Sequence, residues 1–464
     1  MFINNIINNK FFNRNPEALI LCSFLMTILV GGCLLKLPYT VQPGVSLSWI
    51  DALFMSTSAT CVTGLSVIDI GTKFSFFGQM VILILIQVGG LGTMTLSLLF
   101  LMLLGRRASL TTRGCLASLS NEVDLRRIRL ATFKIFIYSI VLELLGAILL
   151  FFYLQQKHDT GFAIYSSIFH SISAFCNAGF SLYTESLVYF QHSAYVQCII
   201  MALIILGGIG FIVMNDVFST LFRKKNNPFK KHTLHTKIAI IGTFFLIIFG
   251  TLMIWLLERT NILSQMSLPY QFLNAAFLSI TSRTAGFNSI DTSSLSNGTL
   301  FFVIGLMFIG GCPGSTAGGV KVNTVFVLIC FVVSQFKGTG TASFSKRKIS
   351  PDVIYKSAAI IIASVALVMG AVFILQITES INQHCIPGQE RGNFIVLLFE
   401  AVSAFGTVGL SAGNTSAHSG LGEFVLIVLM YIGRVGPLTL GFALQRISNK
   451  TADFEYPEED IFIG

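Results

Sequence analysis

The chain has 464 residues, 53% of them hydrophobic and only 11% charged, with a mean hydropathy of +0.78. That composition excludes an ordinary soluble globular protein and makes the count of membrane spans the first question. The net charge of +9 points to nucleic acid or anionic lipid only if the cations cluster on one accessible face, so their placement has to be read first.

A polar, Asn-rich arm (1–16) leads into an apolar run near 17–38. Further runs lie near 74–104, 130–154, 194–222, 236–257, 299–336, 353–378 and 422–444. Eight membrane spans are expected. The first run has no small-residue cleavage site and is read as an anchor that stays. Arg106, Arg107, Arg113, Arg126, Arg127 and Arg129 follow span two. Arg223, Lys224, Lys225, Lys230, Lys231 and Lys237 follow span four, and Lys337, Lys346, Arg347, Lys348 and Lys356 follow span six. The other side carries only Lys36, Lys73, Lys157, Arg259 and Arg391. By the positive-inside rule the clustered side and both termini are cytoplasmic, so the basic charge reports topology and contact with membrane lipid, not nucleic acid. The cysteines (22, 33, 61, 115, 176, 198, 312, 330, 385) form no CxxC pair and join no His cluster at ligand spacing, which gives little support to a disulfide framework or a zinc site.

Each connection on the opposite side carries one cassette, a short apolar helix and then a glycine-bearing turn: MSTSATCVTGLSV (55–67), HSISAFCNAGFSL (170–182), LSITSRTAGFNSI (278–290) and EAVSAFGTVGLSA (400–412). The aligned glycines Gly64, Gly179, Gly286 and Gly409 are 115, 107 and 123 residues apart. A second mark follows in VGGLGT (88–93), LGGIGF (206–211), IGGCPGSTAGG (309–319) and IGRVGPL (432–438), 25, 28, 24 and 24 residues beyond each loop glycine. One Gly-Gly alone reads as close helix packing; fourfold repetition reads as four copies of span, half-helix, loop, span. Irregular backbone at membrane depth is tolerated only where it is buried in protein or lines a water-filled cavity, so the loops are expected to face one axis and aim carbonyls at a cation.

These motifs resemble the Trk/Ktr/HKT family of potassium transporters across nearly the whole chain. TCVTGL, FCNAGF, RTAGF, GTVGLS, GGCPGSTAGGVK and YIGRVGPLT carry the resemblance. The span count and the short tail ending YPEEDIFIG are most similar to the Ktr-type membrane subunit, with the Trk-type subunit as the nearer alternative. The resemblance implies an all-α membrane protein of four covalently linked span–pore-helix–loop–span units, with eight spans and pseudo-fourfold symmetry around one pore. The units are expected at 17–105, 106–225, 226–345 and 346–448, with an N-terminal arm (1–16) and a tail (449–464). The potassium filter is expected at Cys61, Val62, Thr63 and Gly64; Cys176, Asn177, Ala178 and Gly179; Arg283, Thr284, Ala285 and Gly286; and Gly406, Thr407, Val408 and Gly409. A serine in the first place accompanies sodium-transporting plant members, so Gly64 points to potassium. Cys61 and Cys176 depart from the pattern and read as buried, inert thiols.

The segment at 309–321 cannot continue as an undisturbed helix. It is no phosphate loop, because Val320 separates Gly319 from Lys321 and no Ser or Thr follows the lysine. The family implies an intramembrane gate made mobile by Gly310, Gly311, Gly314, Gly318 and Gly319, with Cys312 and Lys321 inside it. Arg434 replaces the second glycine of the fourth Gly-Gly mark, and a charge at that depth is functional by default. By resemblance it lies under the filter, repels resting cations and donates to the gate. Arg283 reads as a strut behind the third loop. Asp69, Glu185 and Asp291 either attract cations at the outer mouth or cap the following helices, with Asn414 in the fourth place.

The expected activity is potassium uptake across the cell inner membrane, with sodium as a candidate activator and no nucleotide bound by this chain. The expected partners are a second copy of the chain, as a homodimer, and a cytosolic nucleotide-binding ring. An intramembrane enzyme would need a nucleophile and base at adjoining depths, and only His170 of the seven histidines precedes a loop. A sodium-coupled symporter usually shows two repeats, not four.

Overall fold

The structure, a computed structural model, describes residues 16–92, 125–221, 232–338, 341–345, 347–381, 393–413 and 415–437. The basic residues from Arg106 to Arg113 and from Arg223 to Lys231, together with Lys346, Arg391, Asn414, Cys115, Cys385, almost all of the arm 1–16 and the whole tail 449–464, lie outside them. The described chain is helical apart from one two-stranded ribbon, Ser343–Phe344 paired with Arg347–Lys348.

Four groups of elements follow one another. The first holds α1 (Pro16–Leu35), α2 (Trp49–Thr60) and α3 (Phe76–Gly90); the second α4 (Leu125–Leu154), α5 (Thr160–Phe175), α6 (Ala194–Gly208) and α7 (Phe211–Leu221). The third holds α8 (Leu234–Glu258), α9 (Leu268–Thr281), α10 (Asn297–Phe308) and α11 (Val322–Phe336); the fourth α12 (Pro351–Ile381), α13 (Asn393–Gly406) and α14 (Gly420–Val435). Among the described residues three helices are long and apolar enough to cross a membrane, within α4, α8 and α12, and α6 with α7 makes a fourth bent by 98° at its break. The run 299–336, expected as one span, is two helices separated by the Gly-rich segment. The run 194–222 also breaks, because Gly208 ends α6 and Gly210 takes φ +92° before α7 begins.

A recurrent contact holds three of the four short central helices (α2, α5, α9 and α13), all but the last, against the first helix of their own group. The hydroxyl of Ser56 donates to the Ile28 carbonyl (2.7 Å), Ser171 to Glu143 (2.5 Å) and Ser279 to Ile247 (3.2 Å). In each case a glycine three residues further along the first helix, Gly31, Gly146 or Gly250, leaves room for that hydroxyl, since a Cβ there would collide with it. Each such bond contributes about 1 kcal/mol and, with the small pair, fixes the height of the central helix. In the fourth group Ala401 stands in the serine's place.

Elsewhere the surface is inverted relative to a soluble protein. Phe244, Phe245, Ile362 and Phe373 are 63–70% exposed on helices, α8 and α12, whose inner faces carry buried Thr243 and Ser364. At the end expected to face outward, Lys36 lies over Trp49, Lys157 over Tyr153 and Tyr189, and Arg259 over Trp255, at 5.4–5.7 Å from the ring centres. Aromatic rings with cations beside them suit a membrane–water boundary. At that same end carboxylates tie helices together within the third and fourth groups: Glu258 of α8 accepts from the N–H and hydroxyl of Ser296, the cap of α10, and Glu379 of α12 from those of Ser419, the cap of α14.

Candidate functional site

Three of the central helices end in the same way. The N–H groups of Val62, Asn177 and Thr407 donate back to Ala59, Ala174 and Ala404, each at 3.1 Å. Those of Thr63, Ala178 and Val408 donate to Ser58, Ser173 and Ser403 at 2.7–2.8 Å. This is the Schellman closure, which requires a left-handed residue at the turn; Val62, Asn177 and Thr407 supply it with φ of 56°, 60° and 49°. Asparagine tolerates that region, whereas a β-branched valine or threonine there is strained and persists only where the surroundings over-determine it. The third loop is one residue shorter, with Thr284 at φ 76° and the Ala285 N–H donating to Thr281 at 2.9 Å.

Two residues after each left-handed turn comes the loop glycine, again with positive φ: 96°, 71°, 76° and 91° at Gly64, Gly179, Gly286 and Gly409. The four meet in a closed cycle. A Cβ on Gly64 would stand 3.2 Å from the Cα of Gly179, one on Gly179 2.8 Å from Gly286, one on Gly286 3.1 Å from Gly409, and one on Gly409 3.0 Å from Gly64. The same construction meets, in turn, the carbonyls of Ala178, Ala285, Val408 and Thr63. One equivalent carbonyl per loop therefore faces the neighbouring loop's glycine, and no side chain fits at the junctions. The hydroxyls of Thr60, Thr63 and Thr407 beside the cycle are buried without a protein partner. Above it opens a cavity of about 290 Å³ lined by all four glycines with Asp69, Ser411 and others.

The acids expected at this mouth divide. Asp69 lines the cavity and also caps the helical turn Ile70–Lys73, accepting the Gly71 N–H at 2.9 Å; it accepts the Thr184 hydroxyl across to the second group at 2.8 Å. Asp291 caps Thr292–Ser294 through the Ser293 N–H (3.0 Å). Burial pushes its carboxyl up, but hydrogen bonds from Ser294 and Ser293 outweigh that and hold it below the usual range. Glu185 is exposed, and its backbone carbonyl receives the Val188 N–H at 3.2 Å.

The Gly-rich segment lies wedged beneath the cycle. It begins and ends on itself, the Gly310 N–H donating to Val320 (2.8 Å) and the Val322 N–H to Gly311 (3.1 Å). Its middle leans on the broken span of the second group: Cys312 and Thr316 donate to the carbonyls of Gly208 (3.0 Å) and Gly207 (3.3 Å), and Gly314 accepts from Phe211 (3.0 Å). Those carbonyls are free because the helix stops there. Gly318 packs on the Thr407 side chain and Gly319 on Gly406, where a Cβ would find no room. Lys321 turns back on its own segment, donating to Ala317 (2.7 Å) and Gly318 (3.3 Å). Arg434 donates to the Thr316 carbonyl and to the Gly89 carbonyl of α3, joining the wedge to the first group. Arg283 points away to the Thr243 carbonyl at 3.2 Å. Cys61, Cys176 and Cys312 are buried thiols.

The Gly-Gly marks have a steric origin here. Gly89, Gly207 and Gly433 each lie against the last carbonyls of a central helix (Thr60, Phe175 and Phe405), and any Cβ would collide. Sequence reading missed what stands behind the second loop. Gln87 donates to both oxygens of buried Glu143 (3.1 and 3.0 Å), and the Cys176 thiol lies 3.9 Å from the same carboxylate. A lone acid within an apolar span was the available signal.

A family model described as TrkH, cation transport protein, matches residues 23–452. The chain is 38% identical over 458 residues to the Ktr system potassium uptake protein B of Bacillus subtilis, covering 98% of each. It is 37% identical over 452 residues to the potassium/sodium uptake protein NtpJ of Enterococcus hirae, covering 97% of each. Its fold is that of the potassium transporter TrkH from Vibrio parahaemolyticus, with a TM-score of 0.72 at 21% identity over 94% of this chain and 86% of that one. Family and relatives are transporters and not enzymes. The helical chain with its inverted surface is thus a membrane-embedded member of the TrkH family of cation transport proteins, similar end to end to Ktr-type subunits.

Proposed function

We propose that this protein takes up potassium through a filter of backbone carbonyls contributed by the four loops, gated by the wedge at 309–321. The observation that carries this reading is the closed cycle of Gly64, Gly179, Gly286 and Gly409, each against the carbonyl that precedes the next glycine. Carbonyls arranged around one axis replace the hydration shell of a cation, and glycine admits the positive φ that turns them inward. The four groups act as four pore units around that axis, giving eight spans with pseudo-fourfold symmetry, and the basic clusters and both termini face the cytoplasm at the cell inner membrane.

Closure follows from the wedge and its two cations. Arg434 holds the Thr316 carbonyl, so the segment stays under the filter, and its charge raises the energy of a cation in the vestibule. Lys321 adds a second charge while binding the segment's own carbonyls. Opening requires the bonds from Cys312 and Thr316 to Gly208 and Gly207 to break along with the Arg434 contact, and Gly314 and Gly319, at φ 72° and 63°, are the pivots. The naming of Ktr systems implies further components; in this reading one of them, a cytosolic nucleotide-binding ring, supplies the energy difference between the two states, and the membrane part is a homodimer. Asp69 concentrates cations in the outer cavity in addition to capping its turn.

The name of the Enterococcus hirae relative favours a second reading, in which sodium is also carried. Uptake of rubidium and of sodium by proteoliposomes at a clamped voltage, with and without sodium outside, separates them. Saturable rubidium uptake with no sodium flux supports the potassium filter; equal fluxes of the two ions would replace it with the second reading.

A further inference from the structure

The four loops are not held alike. Nine residues before Gly179 and before Gly409, on the central helices, stand His170 and Glu400, both buried. At the matching place of the first unit stands Met55, and in the third, whose loop is one residue shorter, Leu278, eight residues before Gly286; both are buried and apolar.

Both polar residues grip the exit of their own loop in the same way. The Ala412 N–H donates to Glu400 Oε1 (3.2 Å) and the Ser411 hydroxyl donates to the same oxygen, while Thr415 donates to Oε2 (3.0 Å). In the second unit His170 Nδ1 lies 2.7 Å from the Ser166 carbonyl, which can only accept, so Nδ1 carries the proton and Nε2 is the acceptor. That Nε2 receives the Ser181 hydroxyl (3.0 Å) and the Leu182 N–H (3.4 Å). Ser181 and Ser411 both lie two residues beyond the filter glycine, and each in turn accepts the N–H two residues further on, from Tyr183 and Gly413, at 3.0 Å. In the first unit the hold from the central helix stops one residue short, where the Ser58 hydroxyl donates to the Leu65 carbonyl (2.7 Å), and Ser66 donates to the nearby Ile68 carbonyl; in the third the Phe287 N–H donates to the Thr281 hydroxyl (2.9 Å) and the Asn288 N–H is taken by Ser186 of the second unit at 3.1 Å.

We infer that His170 and Glu400 are positioning residues for ion selectivity, fixing the outer ends of the two diagonally opposed loops, two and four, whereas loops one and three have no buried polar side chain at the matching places, Met55 and Leu278. This rests on the filter reading above. A buried carboxylate with three donors and an imidazole with two are rigid supports, because releasing any donor leaves a buried polar group unpaired. The carbonyls of Ala178 and Val408, at the other end of the same short segments, are thereby prevented from closing on a smaller ion.

The experiment gives His170 and Glu400 the residues that units three and one already use, His170→Leu and Glu400→Met, with the full chain in proteoliposomes or a potassium-uptake-deficient host. The rubidium concentration for half-maximal uptake should rise about fivefold, as for the loss of roughly one hydrogen bond. Sodium should compete at correspondingly lower concentration, and the maximal rate per inserted molecule should change less. Glu400→Gln keeps an accepting oxygen and should fall between. Normally inserted Glu400→Met and His170→Leu proteins with unchanged rubidium affinity and unchanged sodium competition would overturn the inference. Should these variants fail to insert, Ser411→Ala and Ser181→Ala remove only the gripped hydroxyl, and unchanged selectivity in both would overturn it equally. Gly409→Ser run in parallel distinguishes the two levels: if it too leaves selectivity unaltered the filter reading fails, whereas altered selectivity there alone removes only His170 and Glu400.

Discussion

The loop cycle and the wedge beneath it are both irregular backbone rich in glycine, yet they are held in opposite ways. Each loop is closed by its own helix through two backbone bonds, and its glycine is hemmed in by the next loop, so no loop can move without its neighbours. The wedge hangs between elements of other units, on the ends of a broken span in unit two and on one arginine in unit four. A structure over-determined by its own helices suits a rigid selector, and one held by a few separable bonds suits a gate.

The comparison breaks most visibly if the wedge is shortened. Deleting part of 312–318 should raise basal cation flux on the order of a hundredfold, equivalent to about 2.7 kcal/mol removed from the barrier. The cycle should stay intact, because none of its helix-closing bonds comes from the wedge. Flux measured without any cytosolic partner checks this, and selectivity for rubidium over sodium should be retained.

A smaller effect is expected from Arg434→Gln, which leaves the wedge in place but loosens it. Unit charges about 6 Å apart at an effective dielectric near 20 interact by roughly 3 kcal/mol, so even with half screened the flux should rise about tenfold. Arg434→Lys separates the contributions: lysine keeps the charge but cannot reach the Thr316 and Gly89 carbonyls together with one planar fork, so its flux should lie between wild type and the glutamine protein. Flux across a range of potassium concentrations is the readout.

The smallest expected effect lies at the rim. Asp291→Asn should lower thermal stability in detergent at pH 7 by about 1 kcal/mol or less, the ordinary worth of a cap. Because the folded carboxyl sits below its usual range, its contribution is complete above the unfolded aspartate value and is lost as pH falls through the folded one. Mutant and wild type should therefore converge in strong acid. Rubidium uptake should not change, in contrast to the wedge variants.

Much of this was legible in the chain because repetition made it so. Four glycines at near-equal spacing located the cycle, and the substitution of Arg434 into a repeated Gly-Gly mark singled out the contact between wedge and first unit. What escaped lacked a sequence signal of its own. The left-handed turns fall on Val62 and Thr407, residues that avoid that conformation in isolation, so only the surrounding closure reveals them. The break at Gly208–Phe211 reads, without the wedge that uses its freed carbonyls, like another packing glycine. Glu143 and Gln87 are 56 residues apart and meet only once units one and two are packed. The serine–glycine pairs that seat three central helices are too small a motif to distinguish from chance in an apolar helix.

The central claim, that the four glycines form one selective ring, is tested most directly by sodium competition against rubidium uptake in Gly64→Ser protein. Any Cβ at residue 64 meets the Ala178 carbonyl in a backbone conformation that disfavours side chains, so the ring must shift to admit serine. Sodium should then compete markedly better than in wild type, with slower maximal rubidium uptake. Wild-type competition and rate in normally inserted Gly64→Ser protein would contradict the account.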